Sequence, residues 1–158
     1  MSATVIRHVS AADVPAVIAL VRAVLAEFGI PFGEGSETDK QLDDLPGVYT
    51  DAGGAFWVAC DDAGVVVGTA GVFPVAPGVL ELRKMYVAPA GRGHGIGAAL
   101  LARAVDFART AEASALVLDT TDAMRQAIAF YERHGFVRDD AQIRGARCSR
   151  GYRLALGG

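Results

Sequence analysis

One segment of the sequence combines residue types that suit the binding of a phosphate group. It lies between a predicted strand and a predicted helix, and it consists of Arg92, Gly93, His94, Gly95, Ile96, Gly97 and Ala98. Its small residues leave backbone N–H groups accessible, and the helix N-terminus adds a partial positive charge. The guanidinium of Arg92 can donate two parallel hydrogen bonds to an anion. We therefore predict a phosphate or pyrophosphate site here, whereas a tight turn without a ligand is the plainer alternative.

The class of phosphate ligand is open at this stage. No G-K-[ST] follows the segment, so it is not the phosphate loop of a nucleoside triphosphatase. Gly93, Gly95 and Ala98 match the G-x-G-x-x-A pattern of dinucleotide-binding proteins, and Asp119 stands about 20 residues further on, where such folds place a ribose-binding acid. Two features oppose this interpretation: the preceding strand ends an antiparallel meander, and too few residues follow Asp119 to complete that fold.

Hydrophobic periodicity predicts one α/β (α+β) domain over residues 1–158. A strand and an apolar helix come first, three antiparallel strands follow, and the remainder alternates between helix and strand. Strand 79–87, helix 96–110 and strand 115–119 form one βαβ unit, which should make a right-handed crossover and a parallel pair. The other predicted elements are strand 4–8, a helix from a capping box at Ser10 to Phe28, strands 55–60 and 65–73, a helix around 124–131, and strands 136–137 and 152–156.

Local irregularities are predicted in two strands near this segment. Lys84 and Met85 suggest a bulge that would reset the alternation of their strand and so leave the direction of Glu81 open. Gly68 and Gly71 suggest a bulge or a close backbone approach in the strand before it.

The least regular part of the sequence is the acidic segment 33–49. Its acids are Glu34, Glu37, Asp39, Asp43 and Asp44. They would either attract a cationic amine or form a solvated loop, and the solvated loop is the simpler interpretation.

Composition narrows the function classes. The chain has 158 residues, of which 52% are apolar, and a net charge of -3, which argues against a general nucleic-acid binder. Charged residues interrupt both long apolar stretches and no basic leader is visible, so we predict neither a membrane span nor a signal peptide. Cys60 and Cys148 predict free thiols in a reducing cytoplasm. No two histidines have metal-ligand spacing, so we predict no metal.

Two motifs resemble those of the GNAT N-acetyltransferases. Leu82 to Pro89 followed by Arg92 to Gly97 matches a strand ending in V-x-P and then [QR]-x-x-G-x-[GA]. Ala127 to Phe136 matches A-x-x-[FL]-Y-x-x-x-G-F. The spacing of the motifs, and the order of elements from Thr4 to Leu156, also agree with that family. Both motifs in order are strongly specific, and neighbouring residues resemble a bacterial branch of unassigned substrate.

The resemblance implies a fold and a donor. The fold would be a mixed, mostly antiparallel sheet that splays at a central parallel pair and is flanked by helices. The donor would be acetyl-CoA, with its pantetheine arm in the splay against the backbone of Met85, Tyr86 and Val87. Its pyrophosphate would lie on the N–H groups of residues 93–98.

One position departs from the pattern of the family. Many members carry an asparagine where this chain has Met124. The polar contact to pantetheine that this asparagine makes would then be absent here, or Asp122 or Arg125 would supply it.

Two residues are candidates for acid and base catalysis. The resemblance places the hydroxyl of Tyr131 near the thioester sulfur, where it would protonate the leaving thiolate. A core tyrosine on the helix stripe is the alternative. Glu81 lies on the strand that leads to the cofactor motif, where several members place a carboxylate or a water-bridging group, and we predict it as the base. A solvated strand residue paired with Arg83 is the alternative.

We therefore predict an N-acetyltransferase that moves an acetyl group from acetyl-CoA to a primary amine of a small molecule or peptide by direct transfer. The alternatives are a non-catalytic acyl-CoA-binding sensor and a dinucleotide-binding oxidoreductase. Neither nucleic acid nor a membrane is a predicted partner, and a homodimer is left open. The identity of the amine cannot be read from the sequence.

Overall fold

A seven-stranded sheet forms the centre of the chain, whose computed structural model describes residues 4–157. The strands are β1 Val5–His8, β2 Ala55–Cys60, β3 Val66–Ala76, β4 Val79–Val87, β5 Ala115–Thr120, β6 Val137–Arg138 and β7 Arg150–Ala155. The helices are α1 Val14–Ala26, α2 Glu37–Lys40, α3 Gly47–Thr50, α4 Ile96–Thr110 and α5 Arg125–Arg133. The sheet order is β1-β2-β3-β4-β5-β7-β6.

This topology confirms the predicted fold class. β4 and β5 are the parallel pair, and the other neighbouring strands are antiparallel. Some predicted boundaries were wrong: β3 does not end at Phe73 but continues through Pro74 to Ala76, and β7 begins at Arg150 instead of Tyr152. The register between β3 and β4 shifts between Pro74 and Ala76, so the missing N–H of the proline falls at an irregular point of the ladder.

The parallel pair is short and opens into a gap. Val79, Leu80 and Glu81 pair with residues 115–117 of β5. Beyond them, in the part of the chain that the structure describes, β4 pairs with β3 alone and β5 pairs with β7 alone. Because each strand keeps its antiparallel partner, the two halves of the sheet separate, and the backbone of β4 after Glu81 has no strand partner on its β5 side.

A bulge in β4 sets the direction of the side chains beside the gap. Thr69 and Gly71 of β3 pair with Tyr86 and Arg83, so β4 has one residue more than β3 in this interval. Lys84 takes a φ of 54°, and its carbonyl accepts a hydrogen bond of 2.6 Å from the Thr69 hydroxyl. The predicted bulge is thus confirmed. As a result, the side chains of Arg83 and Lys84 both reach partners in segment 39–41, on one face of the sheet.

The sheet separates two apolar cores, one on each of its faces. α4 and α5 cover one face, where the leucines of the central strands are buried: Leu80, Leu82, Leu116 and Leu118. α1 and the segment 42–49 cover the other face, around Tyr49 and Phe56. A Cβ on Gly71 would lie 2.6 Å from the Phe56 ring and 2.8 Å from the Tyr49 ring, so two aromatic side chains, and not the predicted second backbone, approach this glycine closely.

Candidate active site

The gap between β4 and β5 opens into a cavity of about 590 Å³. Its wall is built by both strands, by α5, by the end of α1 and by the loops 35–38 and 144–148. Such a volume is typical of pockets for organic ligands. The predicted site residues that line it are Glu81, Met85, Tyr86, Val87, Arg92, Gly97 and Tyr131. The structure therefore brings residues of both sequence motifs into one cavity.

The remaining predicted residues belong to the loop that leads from Arg92 into α4. Gly93 and Gly95 have φ values of 81° and 75°, in the left-handed region that favours glycine. The Ile96 side chain is buried in the core, and His94 is exposed. Within residues 4–157, the N–H groups of residues 93–98 donate to no acceptor. Free donors at the N-terminus of a long helix are the usual protein site for a phosphate.

Arg92 is held by a partner that the sequence did not predict. Its guanidinium donates two hydrogen bonds, each of 2.7 Å, to the carboxylate of Glu27 just after α1. Its Nε donates to the carbonyl of Val87 at 3.1 Å. The hydrogen bond from Arg92 holds the pKa of Glu27 below its usual range. The guanidinium thus lies on the cavity wall, but its fork is directed at a carboxylate 65 residues away in sequence.

Tyr131 lies on the α4–α5 side of the gap. Its ring packs edge-on against Phe130 and Phe136, with centroids 5.8 and 5.6 Å away. Burial raises the pKa of the Tyr131 phenol above its usual value, so the hydroxyl keeps its proton. No hydrogen bond formed within residues 4–157 uses this hydroxyl, which leaves it available to a ligand in the cavity.

The position that departs from the family pattern is filled by an apolar side chain. Met124 is buried, and its sulfur lies 3.8 Å from the Thr120 hydroxyl, which donates to it. Asp122 accepts a hydrogen bond of 2.7 Å from an arginine of β7, and neither Asp122 nor Arg125 lines the cavity. Gln126 does line it and offers a polar group at this place.

The end of the cavity away from Arg92 and Gly97 is bordered by residues 81–84, Asp119 and the loop 144–148. We call it the ion-pair end. Glu81 is only 3% exposed, so the alternative interpretation of Glu81 as a solvated strand residue is wrong. Its Oε1 accepts a hydrogen bond of 2.5 Å from the Nε of Arg83, and its Oε2 lies 3.4 Å from Nη1 of Arg144. The pairing with Arg83 is present, and both oxygens of Glu81 face a guanidinium.

A second buried carboxylate, Asp39, also has two cationic partners. One oxygen pairs with Lys84, and the other accepts hydrogen bonds of 3.0 Å from Arg147 and 2.9 Å from the Gly33 N–H. Burial alone would raise the pKa of Asp39, but the hydrogen bond and charge of Lys84 hold it below its usual range. The other four acids of segment 33–49 are exposed, so the solvated loop describes them and not Asp39.

Asp119 is the third carboxylate at the ion-pair end. Its Oδ2 accepts hydrogen bonds from the backbone N–H groups of Arg144 and Gly145 at 2.7 and 2.8 Å. No hydrogen bond within residues 4–157 uses its Oδ1. Cys148 lies beside it, and burial, reinforced by the Asp119 charge, raises the pKa of that thiol to about 12. The residue that would bind a ribose in the dinucleotide alternative thus fixes the loop 144–148.

Sequence reasoning missed most of the ion-pair end. Its partners are 45, 63 and 108 residues apart, so no local spacing marks them. The one available signal was the run of charged residues inside a strand that is otherwise apolar, Glu81 to Lys84.

Further properties concern metals, membranes and thiols. Across residues 4–157, no group of three or more His, Cys, Asp and Glu side chains is placed to hold a metal ion. In the same part of the chain, no helix has the length and apolar character to cross a membrane. Cys60 and Cys148 are both free thiols.

Comparisons with known proteins agree with these features. The family model described as "Acetyltransferase (GNAT) family" matches residues 18–136. The "Uncharacterized N-acetyltransferase YjgM" of Escherichia coli K12 is 37% identical over 140 residues, which are 86% of this chain and 83% of YjgM.

Two solved structures share the fold. A GNAT-family acetyltransferase of Staphylococcus aureus Mu50 has a TM-score of 0.89 at 23% identity, over 98% of this chain and 99% of that one. The structure of yncA from Salmonella typhimurium with its cofactor acetyl-CoA has a TM-score of 0.78 at 22% identity, over 99% of this chain and 96% of that one.

Proposed function

Because this chain belongs to the GNAT family of acetyltransferases, we propose that it transfers an acetyl group directly from acetyl-CoA to a primary amine of a small molecule or peptide. The observation that carries this proposal is the gap between β4 and β5. It brings the edge of β4 that faces β5 and the Tyr131 side chain into one cavity. The loop of residues 92–98, which we call the glycine loop, leads into this cavity. The reaction requires these features together: a phosphate site, a channel for an extended arm and a proton donor at the channel's end.

The glycine loop and β4 would hold the donor. The N–H groups of residues 93–98 have no acceptor among residues 4–157, so they can bind the pyrophosphate. Among the described residues, the backbone of Met85, Tyr86 and Val87 has no strand partner on its β5 side, so pantetheine amides can pair with it there as an added strand would. Arg92 would reach the pyrophosphate by leaving Glu27.

Tyr131 and Glu81 would supply the proton transfers from opposite faces of the sheet. Glu81 and its arginines lie on the α1 side, whereas Tyr131 belongs to the core under α4 and α5. The amine nitrogen forms a bond to the acetyl carbon, and the bond between that carbon and sulfur breaks. The amine proton passes to a carboxylate, and the thiolate takes a proton from the Tyr131 hydroxyl. The raised pKa of Tyr131 fits this role, because the phenol is protonated at neutral pH.

Asp119 is a second candidate for the base. It shares a strand face with Val117, the register partner of Glu81, and its Oδ1 has no hydrogen bond within the described residues. Glu81 would have to release a guanidinium before it accepts a proton, and Asp119 would not. Glu81→Gln and Asp119→Asn, compared in kcat/KM across pH, separate the two. Replacement of the true base should lower kcat/KM by about 10²–10⁴-fold. A wild-type kcat/KM in Glu81→Gln would exclude Glu81 as the base.

Thermal shift and thiol release test the proposal against other classes. We expect acetyl-CoA, but not NAD(P), to raise the melting temperature. We also expect an amine panel to contain at least one substrate that releases free CoA. Stabilisation by NAD(P) alone would support a dinucleotide-binding oxidoreductase. Stabilisation by acetyl-CoA without CoA release from any amine would support a non-catalytic sensor.

We also propose the remaining predictions from the sequence. They are a single domain over residues 1–158, which a limited-proteolysis fragment pattern tests, and a cytoplasmic location, which the two free thiols favour. A homodimer stays open and is decided by the mass measured in solution.

A further inference from the structure

The ion-pair end of the cavity carries more positive than negative side chains. Four cations and three carboxylates meet there, which leaves one positive charge. They are Arg83, Lys84, Arg144 and Arg147, with Asp39, Glu81 and Asp119. Glu37, which also lines the cavity, is paired with Lys40, so this pair adds no net charge. Each of the two buried carboxylates, Glu81 and Asp39, is shared by two cations, so neither pair of cations is neutralised by it alone.

Two guanidinium groups at this end have unused hydrogen-bond donors. Arg144 uses only Nη1, toward Glu81 and Gln142. Arg147 uses only Nη1, toward Asp39 and a backbone carbonyl. Within residues 4–157, the Nε and Nη2 groups of both arginines therefore donate to no acceptor, although both residues line the cavity. Their side chains are 38% and 25% exposed, so both are partly withdrawn from water.

From this arrangement, and on the basis of the proposed acetyl transfer, we propose that the acceptor is an amine that also carries a carboxylate, as amino acids do. Arg144 and Arg147 bind that carboxylate. Guanidinium groups with free, partly desolvated donors are the common protein partner of a carboxylate, because their planar forks match its two oxygens.

Charge balance separates this ligand from two others. The single excess positive charge at the ion-pair end matches one carboxylate, and a dianionic phosphate would leave a negative charge uncompensated. A polyamine would bring further cations against four that are already present, and like charges in a partly buried site repel strongly. The amine of the acceptor can point to Oδ1 of Asp119 at the same end, which accepts no hydrogen bond from residues 4–157.

Matched acceptor triplets test the proposal. Each triplet contains an amino acid, its carboxamide and the amine that lacks the carboxyl group, and several side chains are covered. Spermidine and 2-aminoethylphosphonate serve as the polycationic and dianionic arms. The measured quantity is kcat/KM for CoA release per neutral amine, because amidation lowers the pKa of the amino group. We expect the carboxylate member of the best triplet to exceed its carboxamide by about 10- to 100-fold.

Two variants assign the preference to the arginines. In Arg144→Met and Arg147→Met, the ratio of kcat/KM for the carboxylate member to kcat/KM for its carboxamide should fall at least tenfold. Arg147→Lys keeps the charge at that site and should retain part of the advantage. Arg109 is an exposed arginine in the last turn of α4, and Arg109→Met is the control. It should change kcat/KM for neither the carboxylate nor the carboxamide. Melting temperatures identify any variant that fails to fold.

Two results overturn the inference. One is equal rates within the triplets, or a preference for spermidine or the phosphonate. The other is a carboxylate advantage that survives in both methionine variants.

Binding keeps this inference separable from the proposed function. The N-acetylated triplets are titrated in the presence of CoA and monitored by thermal shift. Preferential binding of the carboxylate product supports the anion site even if no amine is turned over, and equal binding overturns it. Absence of CoA release with every amine counts against acetyl transfer alone.

Discussion

The two ends of the cavity present ligand-binding groups of different kinds. At the glycine-loop end, which we define as residues 92–98, the donors are backbone N–H groups within one short segment. At the ion-pair end, the groups are side chains brought together from segments up to 108 residues apart. A backbone site depends on conformation and tolerates changes of side chain, whereas a side-chain site depends on each charge. The ion-pair end therefore should be the more sensitive to single substitutions.

The largest effect should come from Asp39→Ala. This change leaves Lys84 and Arg147 without their buried partner, and removing one member of a buried ion pair typically costs about 3–5 kcal/mol. We expect the free energy of unfolding, measured by urea titration, to fall by that amount.

Glu37→Ala is the matched control for the same helix. Glu37 also pairs with a lysine, but the two side chains are 84% and 63% exposed. Exposed pairs contribute only about 0–1 kcal/mol, so the unfolding free energy should scarcely change. Equal losses in the two variants would show that burial does not distinguish the ion-pair end.

Tyr131→Phe should give the next largest effect, on rate and not on stability. The proposed proton donor is lost while the ring and its aromatic contacts stay, so kcat should fall about 100-fold or more. KM for acetyl-CoA and the melting temperature should be nearly unchanged. A wild-type kcat across the pH range in Tyr131→Phe would show that Tyr131 is a core residue and not the proton donor.

The same contrast explains what the sequence could predict. The strand before the glycine loop, the loop itself and the helix after it follow from local spacing, and the parallel pair follows from the βαβ order. Glu81 could be placed on its strand beside Arg83, but its second partner, Arg144, could not be predicted, because Arg144 comes from a loop 63 residues away. The role of Asp39 was missed for the same reason: an acid in an acidic loop resembles its solvated neighbours until the fold brings Lys84 to it.

Gly95→Ala tests the backbone site with a smaller expected effect. Gly95 has a φ of 75° and nothing within 4 Å of an added Cβ, so the cost is backbone strain alone. In the left-handed region that strain is about 1–2 kcal/mol. Since the strained residue caps the helix whose N–H groups would hold the pyrophosphate, we expect KM for acetyl-CoA to rise about 5- to 30-fold if binding bears the whole cost.

Gly29→Ala is the matched control for this strain. Gly29 has a φ of 69° and equally open surroundings, but it lies outside the glycine loop and does not line the cavity. Gly29→Ala should lower the free energy of unfolding by a similar amount and leave KM for acetyl-CoA unchanged. A rise in KM in both variants would attribute the effect to global destabilisation.

The smallest effect concerns Glu27, whose side chain links the glycine-loop end to the end of α1. Glu27→Gln removes the charge that holds the Arg92 fork, so that guanidinium becomes free for the pyrophosphate. An exposed pair of this kind is worth about 0–1 kcal/mol, so acetyl-CoA should bind up to about fivefold more tightly in calorimetry. The double variant Glu27→Gln with Arg92→Gln should lose this gain. Weaker binding in Glu27→Gln would mean that Glu27 orients Arg92 for the pyrophosphate and does not compete with it, which would make even the glycine-loop end dependent on a distant side chain.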